Sequence, residues 1–248
     1  MQERYKELDY LGPTTKDRSR LFPRPAYLPN TSIPNIVFER RLIPDKQRQL
    51  APGRHALFLA KYNGERVVVK FSEKYNSSAH RKVAEKGFAP RLHAHTRLRG
   101  GITMVIMDYI GGLDAHRQFG NKELPSSVIQ QVESALAILH SSNLVHGDIR
   151  RPNILVTRKM EHDPTSPGSK AAMDVDMPWL AYLIDFDCVG EANKDRYSPL
   201  LNTTIPWPKG VRPGSLMQKK HDEVMLQTTI RGGLYYAYSV SPYTSAAY

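Results

Sequence analysis

A small set of residues has the side-chain types and spacing to do chemistry together. Lys70 closes a valine-rich run, Asp148, Arg150 and Asn153 share one short stretch, and Asp185 follows a later apolar run. The stretch His146-Gly-Asp148-Ile-Arg150-Arg-Pro-Asn153 sets a carboxylate and an amide between two apolar segments, so both need partners once those segments are buried. A carboxylate placed there can act as a general base or orient a hydroxyl, an amide oxygen can ligate a hard cation, and an arginine can neutralise a phosphate. Asp185, after Tyr182-Leu183-Ile184, supplies a second oxygen ligand of the same hardness. Lys70 alone reads more readily as a solvated lysine at a sheet edge, because lysines are seldom buried. A capped turn beside a buried strand explains any one of the loop residues but not the set in this order.

These residues must be positioned by elements that the sequence also marks. Ile36 to Leu42 and Ala56 to Tyr62 read as strands, and Asn63-Gly64 between the latter and Glu65 to Phe71 is the strongest short hairpin signal. Strand periodicity puts Val68 and Lys70 on one face and Val67, Val69 and Phe71 on the other. Asn76 caps a short helix running to Ala84, stopped by Gly87 and Ala89-Pro90, and Ile102 to Tyr109 is a further buried strand. Ser127 with Gln130 three residues on predicts a capping box, opening a helix that presents Ile129, Val132, Leu136 and Leu139 on one face. Ile154 to Val156 and Leu180 to Phe186 are apolar runs separated by a charged Pro/Ser/Gly-bearing insert. A last short helix is expected around His221 to Thr229.

Composition narrows the field. Lys and Arg number 35 against 24 Asp and Glu, a formal charge of +11, so nucleic acid, an anionic surface and a phosphorylated ligand are all compatible partners. The basic residues are dispersed, which reads first as a solvated surface. Cys188 is the one cysteine, excluding an internal disulfide framework and a zinc finger, and with it goes an intracellular expectation, cytoplasmic or nuclear. No apolar run reaches the roughly 18 residues of a spanning helix. The polar, proline-rich first 33 residues read as an extended arm and the Tyr/Ser-rich residues 232–248 as a tail.

Taken in order, Val-Val-Val-Lys70, Met107-Asp108-Tyr109, Val-His146-Gly-Asp148-Ile-Arg-Arg-Pro-Asn153 and Ile184-Asp185-Phe186 resemble the signature of the protein-kinase-like superfamily over about Ile36 to Leu226. Gly147, and Asp187 where protein kinases usually have glycine, are similar to small-molecule kinases of the aminoglycoside and choline type. Together with Trp207-Pro208 and His221-Asp222-Glu223 they also resemble a group of fungal protein-kinase-like proteins. The resemblance implies an α+β, two-lobed fold: a small antiparallel-sheet N-lobe over 34–110 and a truncated, mainly helical C-lobe over 111–231, with the insert at 157–178. It implies an ATP and Mg²⁺ site in which Lys70 holds the α- and β-phosphates and Val68 roofs the adenine. Met107, Asp108 and Tyr109 form the hinge, Asp148 accepts or orients the substrate hydroxyl, and Asn153 and Asp185 hold the metal. Asp222 is then the helix aspartate bracing the loop from beneath. The implied reaction is γ-phosphoryl transfer, to a protein Ser/Thr hydroxyl or to a small alcohol. An inactive kinase-like binding module and, more remotely, a nucleic-acid-binding protein are the other classes.

The departures from the pattern are specific. Gly53 is the one glycine between Leu42 and Ala56, where a glycine-rich loop is expected. The helix carboxylate that should pair with Lys70 falls at Ser78 to His80, with Glu73 and Glu85 to either side. Gly147 removes an arginine that reads activation-loop phosphate, leaving Tyr197, Thr203 and Thr204 as ordinary loop residues. Asn153 and Asp185 stand 32 positions apart (185 − 153), and 26 residues follow Asp222 (248 − 222), few for a complete helical lobe. Exposed apolar surface on that lobe, covered by self-association, by a partner or by the tail, is the corresponding expectation.

Overall fold

Asn63 and Gly64 occupy the two left-handed positions of a tight turn, with φ of 51° and 88°, a geometry whose twist matches that of paired strands. They join β2 (Ala56–Tyr62) to β3 (Glu65–Ser72) in the expected antiparallel hairpin, with Leu57 opposite Lys70 and Leu59 opposite Val68. The computed structural model describes residues 36–42, 56–98, 100–158, 178–202 and 204–231. The arm, Gly53, residues 159–177 of the insert, Thr203 and the tail lie outside them.

The hairpin extends into a five-stranded antiparallel sheet in the order β1-β2-β3-β5-β4, with β1 at Ile36–Arg41, β4 at Leu92–Arg97 and β5 at Thr103–Asp108. The strand β4, Leu-His-Ala-His-Thr-Arg, has no apolar run to announce it. It sits at an edge, where one partner and one covered face suffice. Between β3 and β4 the helix α1 (Ser77–Ala84) is capped as expected, Asn76 Oδ1 accepting from Ala79 N at 3.0 Å. The outer face of the sheet closes over Phe58, Val67, Val69, Met104 and Ile106, with Phe38 and Phe71 packed edge-on against Phe58.

The second lobe opens with β6 (Leu113–Asp114), the short α2 (Ala115–Phe119) and α3 (Ser126–Ser141). The predicted capping box is not formed. Pro125 is the N-cap of α3, the helix starts two residues early, and no side chain caps it, so Ser127 lies inside the first turn. Ser127 instead offers its carbonyl to Gln131 Nε2, which also donates to Trp179 O. The apolar stripe holds: Val132, Leu136 and Leu139 are buried and Ile129 packs against the same core.

After β7 (Leu144–Val145), β8 (Ile154–Arg158) and β9 (Trp179–Leu183) pair antiparallel, and β10 (Gly190–Glu191) returns to β7. The strand β9 stops at Leu183, so Asp185 lies two residues beyond its end rather than closing it. The chain finishes with α4 (Lys219–Met225), continued by a π-helical turn at Leu226–Arg231. One main core joins α1, α3, β8, β9 and this last helix around Val83, Leu139, Ile149, Ile154, Leu183 and Phe186. Gly112, in the crossing between lobes, is required: a Cβ there would lie 2.2 Å from the Val156 carbonyl oxygen. Among the described residues the exposed large apolar side chains are Val37, Leu113, Leu200 and Val224, scattered over both lobes.

Candidate active site

Lys70 is not a solvated edge lysine. The strand β3 is flanked on both sides, by β2 and β5, and Lys70 is only 4% exposed. Its Nζ lies 2.5 Å from Asp185 Oδ1 and 2.7 Å from Asp187 Oδ1, with the Tyr75 ring centroid at 5.6 Å. Burial pulls its pKa down, but the two carboxylates outweigh that and hold the ammonium above its ordinary value. Asp187 is shifted up, chiefly by burial and against the pull of Lys70, with the neighbouring charge of Asp185 adding to the rise.

The loop between β7 and β8 is built on Asp222. Its carboxylate accepts from His146 N at 2.7 Å and Gly147 N at 2.9 Å, and from His140 Nε2 at 3.1 Å. Gly147 has φ of +79°, a left-handed backbone that side chains rarely adopt, and a Cβ would come within 2.5 Å of Met217 Cε, the movable end of that side chain. On this support Asp148, 7% exposed, is gripped by a fork from Arg150, whose Nε and Nη2 donate to its two oxygens at 2.5 and 2.7 Å. Asn153 Nδ2 donates to both the carbonyl and Oδ2 of Asp148, at 2.9 Å each. With its nitrogen so committed, the amide oxygen is the atom of Asn153 with ligand chemistry.

The insert does not separate Asn153 from Asp185. Pairing of Ile154 with Leu183, and donation from Ile184 N to Asn153 O at 3.0 Å, bring the two ligand candidates to the same end of one ribbon. Asp185 itself has φ of +69°. Lys70, Asp148, Asn153 and Asp185 thus converge where the sheet meets the second lobe. Val68 and Met107 face each other across β3 and β5, on the sheet face that also carries Lys70. Asp108 points to the opposite face, where it accepts from His93 Nε2 at 2.6 Å and Arg91 Nη2 at 3.4 Å. Tyr109 follows β5, its N–H donating to Arg66 O at 3.4 Å.

Several residues with clear roles here carry no signal in the sequence. His80, where a carboxylate is expected, lies flat on Phe186 with centroids 4.6 Å apart and planes at 12°. Its Nε2 meets the Pro90 carbonyl at 2.7 Å, which can only accept, so Nδ1 accepts from Tyr75 OH at 2.7 Å. Burial drives its pKa down to about 4, so the ring is neutral. Glu73 and Glu85 are exposed, as a solvated reading expects. Arg151, 1% exposed, ties the loop to the carbonyls of Gly120, Lys122 and Thr229. Tyr197 is no ordinary loop residue: it is 3% exposed and its hydroxyl bonds His221 Nδ1 at 3.2 Å, whereas Thr204 is exposed.

No protein-family model matches the sequence, and no curated protein matches it. Among solved structures, the Cydia pomonella granulovirus kinase PK-1 is similar at 18% identity and a TM-score of 0.56, over 79% of this chain and 68% of that one. The Mycobacterium tuberculosis PknI kinase domain also aligns, at 16% identity and a TM-score of 0.48, over 84% of this chain and 78% of that one. A small antiparallel sheet with one helix, a second lobe that joins helices to short strand pairs among the described residues, and the granulovirus likeness agree: the chain has the two-lobed protein-kinase-like fold.

Proposed function

We propose that the protein is an ATP- and Mg²⁺-dependent phosphotransferase that moves the γ-phosphoryl group to the hydroxyl of a protein Ser or Thr. The observation that carries this reading is the convergence of a buried ammonium, two hard oxygen ligands and a braced carboxylate on one spot between the lobes. Phosphoryl transfer asks little covalent chemistry of a protein and much placement of charge. The donor set suits the cofactors: Asn153 and Asp185 offer the oxygens that Mg²⁺ prefers, and Lys70 the point charge that suits phosphates.

Bound nucleotide and cation would supply the transferable phosphoryl group and the charge that neutralises it. Lys70 holds phosphate oxygens, Val68 and Met107 offer an apolar face to the base, and Asp148, held by Arg150 and Asn153, orients the acceptor hydroxyl and takes its proton. Gly147 and Asp187, at which the loops resemble small-molecule kinases, favour a small alcohol as the second acceptor reading. Radiolabelled ATP offered with Mg²⁺ to mixed protein and small-alcohol acceptors tests both readings. Label on protein supports the first, label on the alcohol alone supports the second, and label on neither with no Mg²⁺-dependent ATP binding overturns the assignment.

A further inference from the structure

We infer that Asp187, steadied by Ser72, is the fixed counter-ion of Lys70 and does the positioning work that a helix-borne carboxylate would otherwise do. This rests on the phosphotransferase reading above. The helix α1 contains no acidic residue, and its buried side chains are Ala79, His80 and Val83. His80 among them is a neutral ring committed to Pro90 and Tyr75. A lysine this buried still requires compensation, and it comes from the segment after β9.

The two carboxylates that meet Lys70 are not equivalent. Asp187 is held at both ends: Oδ1 faces Lys70 at 2.7 Å while Oδ2 accepts from Ser72 Oγ at 2.7 Å. Ser72 and Lys70 are two residues apart on β3, so strand periodicity aims both at the same carboxylate. Asp185 has the more exposed side chain, 23% against 12%, and is the one joined to Asn153 through Ile184. Were Asp185 and Asn153 to hold a cation, the Lys70 ammonium would be repelled from Asp185, because like charges repel. Lys70 then keeps Asp187, whose second oxygen remains tied to its own strand. Asp187 is thus a positioning residue acting through the lysine.

The test is a double-mutant cycle on the full chain, reading affinity for a non-hydrolysable ATP analogue with Mg²⁺ by calorimetry. Asp187→Asn keeps the shape and removes the charge, and it should weaken binding by about tenfold, the scale of coupling between residues in contact. In a Lys70→Met background the same change should cost nothing further. Undiminished binding by Asp187→Asn overturns the inference, and so does an equal loss in the Lys70→Met background, which would mark Asp187 as a cation ligand. Ser72→Ala leaves the charge in place and should weaken binding by roughly two- to threefold, the cost of one hydrogen bond to a charged group partly kept by solvent. Should Asp187→Asn fail to fold, Ser72→Ala decides, and unchanged affinity there overturns the proposal. An unaltered chain that binds no nucleotide removes the phosphotransferase reading and this inference together, a result distinct from every variant outcome.

Discussion

Both oxygens of Asp148 already accept hydrogen bonds, from Arg150 and Asn153, and this shapes what its loss should do. Asp148→Ala removes the acceptor's base without touching Lys70 or Asp185. Transfer should fall by ~10²–10⁴, the usual range for a general base, with nucleotide affinity close to that of the unaltered chain; single-turnover kinetics beside calorimetry separates the two. A second residue-scale effect belongs to His80. In the unfolded chain it titrates at its ordinary 6.5, and in the folded chain at about 4 because burial disfavours the imidazolium. Between those values the unfolded state holds more protons, so its contribution to stability is complete above 6.5 and is lost as pH falls toward 4. The full loss is about 3 kcal/mol. Urea unfolding at pH 7 and pH 4.5 should show it, and His80→Gln should flatten the dependence. That Asp148, Asn153 and Asp185 are held by partners was legible in the sequence because loop residues between apolar runs advertise that need. His80 was not, since a histidine on a short helix looks the same whether it faces water or the Phe186 ring.

At the scale of elements, the loop is held in shape by a glycine and an aspartate far apart in sequence. Gly147 has a left-handed backbone, and a methyl group there would have to push Met217 Cε aside. Gly147→Ala should therefore cost at least about 1–2 kcal/mol, the backbone penalty plus the clash. Met217→Ala opens space for the new methyl, so in that background the clash disappears and only the backbone part remains; thermal melts of the four proteins check this. The hairpin at Asn63-Gly64 and the cap at Asn76 were readable because each is set by residues adjacent in sequence. The edge strand β4 and the start of α3 were not: the first depends on β5 as template, and the second on Pro125 overriding a pair of residues that otherwise match a capping box. The Asp222 contacts to His146 and Gly147 span more than seventy residues, and only the resemblance to a known motif pointed to them.

At the scale of the whole molecule, the lobes share the main core, which Ala79 and Val83 of α1 enter, and they also meet through groups that form the site. Lys70 reaches across to Asp185 and Asp187, Ser72 to Asp187, Asn76 N donates to Phe186 O at 3.1 Å, and Leu183 N donates to Phe88 O at 2.7 Å. Phe186 is the apolar pin among them: fully buried, stacked on His80 from α1 and edge-on to His146 from the loop at 5.7 Å. The sheet's outer-face cluster, by contrast, does not touch this pin, so the small lobe has packing of its own. Phe186→Ala should cost roughly 3–5 kcal/mol, the range for emptying a buried aromatic site. The loss should fall on the junction rather than on either lobe's own core. Calorimetric scans should then change from one transition to two, with Mg²⁺-dependent stabilisation by nucleotide lost, because Asp185 and Asp187 flank the vacated position. Phe186→Leu, which retains most of the volume, should keep one transition and most of the nucleotide response. A single sharp transition for Phe186→Ala, with nucleotide stabilisation intact, would place the coupling between lobes in the rest of the shared core and in the polar contacts that remain.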